Sequence, residues 1–360
     1  MNNIMIETVL LFKILLPTIT AFTIGIVLTP MFSHIFYKYK LWKRSSRIAG
    51  SNTGNLSMTS DFKEIHNNAE TNTPRVGGVI VWFSVVLTVF LSIIMSRILS
   101  GFGLENIEFI SRNQTLIPFL SMLMGAGLGL VDDLLQIFGS KRQLAIGIPR
   151  RIRIAFVLFM GAIVGFWFYY RLGYDSINLP FTDASLFLGY GAIVFIMFVV
   201  LSLFSSSVID GIDGLAAGVL VTVFATYGFI GIIQSQFDIA TFSFVIMGAL
   251  MAFLWFNIPP ARFYLGETGI LSLTLALAVI IFLTNTVIPF IIIGLPLVIT
   301  SASSLLQIIS RRFFNKKIFK VAPFHHHLES IGWSREKITM RYWIFSVMCG
   351  AVGIILVIIA

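Results

Sequence analysis

The sequence predicts an all-α polytopic membrane protein: one domain over residues 1–360, built of ten transmembrane helices. Three observations predict it: 57% of the 360 residues are hydrophobic, only 11% are charged, and the mean hydropathy is +0.93. A soluble domain carries about 25% charged residues, and one bilayer crossing needs roughly 20 consecutive apolar ones. This chain therefore has residues for about ten crossings and no room for a large soluble domain.

Apolar runs bounded by polar clusters place spans at 10–36, 77–96, 116–131, 152–170, 185–204, 214–233, 240–256, 268–284, 286–310 and 342–360. The first lacks a basic leading region and runs on to Thr29 and Pro30, so it reads as an uncleaved span and not a signal peptide. The stretch from Ser45 to Asn72, rich in Ser, Asn and Thr, is expected to be a cytoplasmic loop. The second span opens on Thr73-Pro74-Arg75-Val76-Gly77-Gly78, and the third ends on Asp132-Asp133. Between the fourth and fifth, Arg171 to Asp183 contains Tyr174, Asp175, Asn178 and Pro180, enough turn chemistry for a short hairpin. The ninth carries Pro289, Gly294 and Pro296, which should kink or break it. The tenth contains the only cysteine, Cys349, which excludes a disulfide framework or a cysteine metal site.

The net charge of +9 would suggest a nucleic-acid partner in a soluble protein. Its distribution gives another reading, with no nucleic acid involved. Of 25 Lys and Arg, 21 fall in one alternate set of connections and four, Lys13, Arg97, Arg112 and Arg171, in the other. Basic residues near spans are retained in the cytoplasm, so both termini are expected on the extracytoplasmic side. An even number of spans requires the same.

Five of the 16 acids lie at cytoplasmic ends of spans: Asp132 and Asp133, Asp210 and Asp213, and Glu267. Carboxylates gathered in a small region repel one another unless a cation neutralises them, and hard oxygen ligands suit Mg²⁺. In Asp210-Gly211-Ile212-Asp213-Gly214 the two acids share a face if the segment is helical. In Gly266-Glu267-Thr268-Gly269 an acid opens a span whose first backbone donors could meet phosphate oxygens. Three of the five histidines, His325, His326 and His327, stand together in Ala322-Pro323-Phe324-His325-His326-His327-Leu328-Glu329, within the connection before the last span. Adjacent side chains point in different directions, so contacts to phosphates or a sugar suit them better than one shared ion; a plain polar connector is the alternative. Secondary transport predicts acids near the bilayer midplane around broken helices, and the acids here sit at helix ends.

These motifs, in this order over nearly the whole chain, resemble the phospho-N-acetylmuramoyl-pentapeptide transferases of the polyprenyl-phosphate sugar-1-phosphate transferase superfamily. The resemblance implies transfer of phospho-N-acetylmuramoyl-pentapeptide from a uridine diphosphate carrier to undecaprenyl phosphate. It also implies Mg²⁺ as cofactor, a bacterial cytoplasmic membrane, and a homodimer. Asp132 and Asp133 correspond to the acidic pair that activates the acceptor or forms a covalent intermediate, and His325 to the catalytic histidine. Asp210 is expected to serve catalysis and, with Asp133 and Glu267, to surround the metal. Arg75, Ser207, Asp213, Asn257, Gly266, His326 and His327 are the expected substrate-binding residues. The nearest alternative is transfer of an N-acetylhexosamine 1-phosphate within the same superfamily, which the Asp-Gly-Ile-Asp-Gly element fits equally well. Several positions depart from the family pattern: Gln136 replaces a lysine, Phe204 and Ser207 replace asparagines, Glu267 replaces an aspartate, and no lysine precedes Thr73. Arg75, Lys141 and Arg142 are the candidates to restore the lost positive charge.

Overall fold

The computed structural model describes residues 2–42, 73–98, 108–111, 114–139, 147–178, 182 and 184–359. The Ser45 to Asn72 stretch, Lys141, Arg142, Pro180 and Asp183 lie outside them. Of the described residues 78% are helical. In order it forms α1 (Asn2–Lys38), α2 (Gly78–Ile98), α3 (Leu116–Phe138), α4 (Arg150–Leu172), β1 (Ser176–Asn178), β2 (Ser185–Phe187), α5 (Gly191–Ser205), a 3-10 turn (Ser206–Ile209), α6 (Leu215–Ile233), α7 (Phe237–Asn257), α8 (Gly266–Leu283), α9 (Val287–Ile293), α10 (Leu295–Phe314), α11 (Phe324–Ser330) and α12 (Arg335–Ile359).

Among the described residues nine helices are long and apolar enough to cross a membrane, or ten if α9 and α10 count as one broken span. The chain is thus a multi-pass helical membrane protein. Its outer faces are apolar, with Val27, Phe198 and Ile344 each about two-thirds exposed, as contact with lipid tails requires. At the centre stands α8, whose apolar stretch is 83% buried against 22% for α1.

Several boundaries differ from the sequence reading, each for a local reason. Helix α3 continues to Phe138, because Leu134, Leu135 and Ile137 extend the apolar pattern, so Asp132 and Asp133 lie within the helix and not at its end. The fifth helix starts at Gly191; residues 185–187 instead form β2, paired antiparallel with β1 through Ser176 to Phe187, Ile177 to Leu186 and Asn178 to Ser185. This is the hairpin the turn residues suggested. The last helix begins at Arg335, seven residues before the expected span. The ninth span breaks at Gly294, where α9 and α10 meet at 85°. Both of its prolines then fall in first helical turns, where a missing N–H removes no intrahelical bond.

Helix α3 packs on α8 through a stripe of small residues. A Cβ on Gly129 would lie 2.3 Å from the Glu267 carbonyl oxygen, and one on Gly125 2.6 Å from that of Leu271. Only glycine allows backbones this close, and the contact sets the acid pair beside the first turn of α8.

Candidate active site

The site is organised around the N-terminus of α8. The first N–H groups of a helix lack intrahelical acceptors and carry the positive end of its dipole, so carboxylates are stabilised there. Asp133 of α3 accepts hydrogen bonds from the backbone N–H of Glu267 at 3.2 Å and of Thr268 at 2.9 Å. Asp210, directly after the 3-10 turn, accepts from the Gly266 N–H at 3.1 Å. Gly266 has φ of +69°, and a Cβ there would stand 1.8 Å from the Arg75 carbonyl oxygen and 2.8 Å from Asp133 Oδ2. No side chain fits at this junction. Burial pushes the Asp210 carboxyl up to about 6 against the pull of Arg75 and the Gly266 N–H, while Glu267 and Asp213 add to the rise.

Asp132, fully buried, faces the start of α4. It accepts from Gln136 Nε2 at 2.9 Å, from the Ile148 N–H, and from Arg153 Nη1 at 3.3 Å. The same Arg153 nitrogen lies 2.8 Å from Glu267 Oε1. Sequence reasoning missed Arg153, because the basic cluster at 150–153 reads as an ordinary cytoplasmic topology signal.

The segment from Asp210 to Gly214 is not helical, so the expected helical face shared by Asp210 and Asp213 does not form. Gly214 has φ of +73°. Asp213 instead accepts from the Ala261 N–H at 3.0 Å, and its carbonyl accepts from Thr339 Oγ1 at 3.0 Å. Asn257 is buried; its Oδ1 accepts from the Gly214 N–H at 3.1 Å and its Nδ2 donates to the Phe263 carbonyl at 2.8 Å. These two residues hold loops. Ser207 lies in the 3-10 turn and accepts the Asp210 N–H on its carbonyl at 3.2 Å. Arg75 packs over the Tyr264 ring at 5.9 Å, on the side of Asp210.

The triple histidine block is the short helix α11, which separates its members by about 100° each. His325 and His326 turn toward the aspartate loop: a Cβ on Gly211 would lie 3.0 Å from His325 Nε2 and 2.8 Å from His326 Nε2. His325 is fully buried. His326 Nδ1 pairs with Glu329 Oε2 at 3.1 Å, and Arg335 Nε donates to Glu329 Oε1 at 2.6 Å. Burial would raise the Glu329 carboxyl, but these two partners outweigh it and hold the group at about 2. His327 points elsewhere. Its Nδ1 accepts the Lys320 N–H at 3.3 Å and its ring rests on Phe319 and Phe324. The structure therefore does not bring His327 together with the other two.

The oxygen donors at the head of α8 have the chemistry that Mg²⁺ prefers. Among the described residues no three His, Cys, Asp or Glu side chains form a closed metal cage. Magnesium usually takes only one or two carboxylates and completes its shell with water and substrate phosphates, so the acids here fit that mode of binding.

A helical membrane protein with carboxylates and glycines gathered at one helix N-terminus is a candidate phosphoryl-transfer enzyme, and residues 115–285 match the glycosyl transferase family 4 model. Over 352 residues the chain is 31% identical to the phospho-N-acetylmuramoyl-pentapeptide-transferase of Geobacillus sp. (strain WCH70), covering 97% of this chain and 98% of that one. It is 30% identical over 351 residues to the protein of that name from Bacillus subtilis (strain 168), with the same coverage. To that of Clostridium perfringens (strain 13 / Type A) it is 29% identical over 337 residues, 93% of this chain and 96% of that one. The chain belongs to the phospho-N-acetylmuramoyl-pentapeptide-transferase family.

Proposed function

We propose that this chain transfers phospho-N-acetylmuramoyl-pentapeptide from its uridine diphosphate carrier to undecaprenyl phosphate, releasing uridine monophosphate and forming the first lipid-linked peptidoglycan precursor. The observation that carries this reading is the meeting of Asp133 and Asp210 at the first N–H groups of α8, with His325 and His326 facing Gly211 beside them. In the reaction an oxygen of the acceptor phosphate attacks the sugar-linked phosphorus. The phosphoanhydride bond breaks and its electrons leave on uridine monophosphate. The acceptor is ionised near neutral pH, so positioning and charge neutralisation carry more of the catalysis than a strong base.

Each group then has a task. Asp132, held by three donors, fixes the acid pair and the start of α4. Asp213 and Asn257 hold the aspartate loop in place, and Gly266 lets Arg75 and Asp133 approach the head of α8. His325 and His326 direct ring nitrogens toward the space where the donor's phosphates or sugar would lie. Mg²⁺ would be held by Asp210 with Asp133 and Glu267, and supplies neutralising charge to the diphosphate when bound. The membrane is the bacterial cytoplasmic one, with ten spans, both termini outside, the site on the inner face, and the chain working as a homodimer.

The test is release of uridine monophosphate by the purified protein, given undecaprenyl phosphate and either UDP-muramoyl-pentapeptide or UDP-N-acetylglucosamine. Release with the first donor only, abolished by chelation and restored by Mg²⁺, is expected. Release with the second donor only would move the chain to the N-acetylhexosamine branch, and release undiminished by chelation would remove the metal.

A further inference from the structure

Helix α10 leaves α9 at 85° and divides lengthwise into two faces. Leu305, Ile309 and Phe313, four residues apart, are exposed on one side, whereas Ser303, Gln307 and Ser310 are buried on the other. The buried side chains pin the turn that follows. Ser310 Oγ donates to the Lys316 carbonyl at 2.9 Å. Gln307 receives the N–H groups of Ile318 and Phe319 on Oε1 at 3.1 and 3.0 Å and donates from Nε2 to the Phe319 carbonyl at 3.0 Å. Residues 311–320 hold five cations, Arg311, Arg312, Lys316, Lys317 and Lys320, and no Asp or Glu occurs between Glu267 and Glu329. Among those cations Phe313 is 71% and Phe314 67% exposed, and Ile318 is exposed beside them.

Retention of positive charge on one side of the membrane accounts for the cations, but not for large apolar side chains held outward among them. Leaving a phenylalanine in water instead of burying it costs about 1.5–3 kcal/mol, so a pinned turn that presents two of them calls for a covering. We propose that residues 311–320 dock on the anionic phospholipid headgroups of the bilayer: the cations meet lipid phosphates while Phe313, Phe314 and Ile318 enter the acyl boundary. Charge complementarity selects this occupant, since each Lys or Arg beside an anionic leaflet contributes about 1 kcal/mol. Continuity supports it, because the exposed stripe of α10 runs on into the turn, and an apolar face flanked by cations is the pattern of a helix lying at a membrane surface. The leaflet is the cytoplasmic one on the orientation given under Proposed function; the chemistry of the contact is the same on either side. The turn leads straight into the histidine helix, with the Phe319 ring 5.5 Å from that of His327 and 6.1 Å from that of Phe324. Docking therefore sets the depth at which His325 and His326 stand.

The experiment attaches a bimane fluorophore to the full-length protein at Ile318→Cys, with Cys349→Ser, in bilayers of equal phosphatidylglycerol and phosphatidylcholine. One lipid or the other carries brominated acyl chains, which quench the fluorophore on contact. Brominated phosphatidylglycerol should quench about threefold more than brominated phosphatidylcholine, and Lys316→Gln with Lys317→Gln, or about 1 M salt, should bring the two to equality. The melting temperature should not change, because both lysines are exposed. A second fluorophore at Phe314→Cys should give the same ratio, so that a local disturbance at Ile318 does not decide the result. Equal quenching by both lipids, unaltered by the two substitutions, would reduce the turn to an apolar contact. No quenching by either would leave it in water, open to a soluble partner, and each of these results overturns the inference. The readout is fluorescence alone, so the turnover proposed above stands or falls separately.

Discussion

The two ends of α8 are sealed by opposite chemistry. At its N-terminus the open N–H groups are met by carboxylates, Asp133 and Asp210. At its C-terminus the open carbonyls are met by neutral amides: Gln234 Nε2 donates to the Thr284 carbonyl at 2.9 Å and Gln236 Nε2 to that of Leu283 at 3.3 Å. A hydroxyl chain of Tyr227, Thr286 and Thr284, with links of 3.0 and 2.9 Å, finishes that end. Neutral donors satisfy backbone groups without burying a charge, and they end the matter there. Carboxylates at the other end satisfy the helix and keep further lone pairs for a cation or a positioned ligand. One helix therefore carries a structural end and a chemical end.

The largest effect that would sharpen this contrast is on turnover. Asp210→Asn keeps an acceptor for the Gly266 N–H but removes the charge, and it should slow release of uridine monophosphate by about 100-fold or more at a nearly unchanged melting temperature. Gln234→Ala at the other end should leave turnover within about twofold while lowering the melting temperature. Comparable catalytic losses in both variants would erase the distinction.

A second comparison lies inside the histidine block. His325→Ala should slow turnover about a hundredfold, equivalent to roughly 3 kcal/mol of transition-state contact. His327→Ala, which loses only the Lys320 N–H and two ring contacts, should stay within about threefold. Equal losses would mean that the block acts through its packing and not through the two rings that face Gly211.

The smallest effects are on stability. Asn257→Ala strands a buried N–H of Gly214 and the carbonyl of Phe263, and should cost about 2–4 kcal/mol in thermal or denaturant unfolding. Tyr227→Phe removes one hydroxyl link at the structural end and should cost about 1 kcal/mol. A Tyr227→Phe variant as unstable as Asn257→Ala would show that the hydroxyl chain carries far more than its end of the helix.

Much of this was legible in the sequence because it depends on composition or adjacency. Apolar runs located the membrane helices, and glycines flanking Glu267 marked the helix opening where the acids converge. What was not legible depends on rotation and distance. Asp132 and Asp133 read as the end of a span because two adjacent acids interrupt the apolar run, although Leu134, Leu135 and Ile137 carry the pattern on past them. Arg153 was indistinguishable from its basic neighbours until α4 was placed beside Asp132 and Glu267. His325, His326 and His327 look equivalent in a row, yet a single helical step separates the two that meet the aspartate loop from the one that does not. The break at Gly294 was signalled by its neighbouring prolines, but its 85° angle was not.

The glycine contact between α3 and α8 works as a gauge. Gly129 fixes one helix against the carbonyl of Glu267, and the acid pair follows three and four residues later on the same rigid rod. Inserting one residue between Gly129 and Asp132 would turn both carboxylates by about 100° and move them about 1.5 Å along the axis, although every functional residue would still be present. The site is therefore encoded as an interval as much as a set of side chains. Two chains with the same acids but a different interval after this glycine would not share the same chemistry.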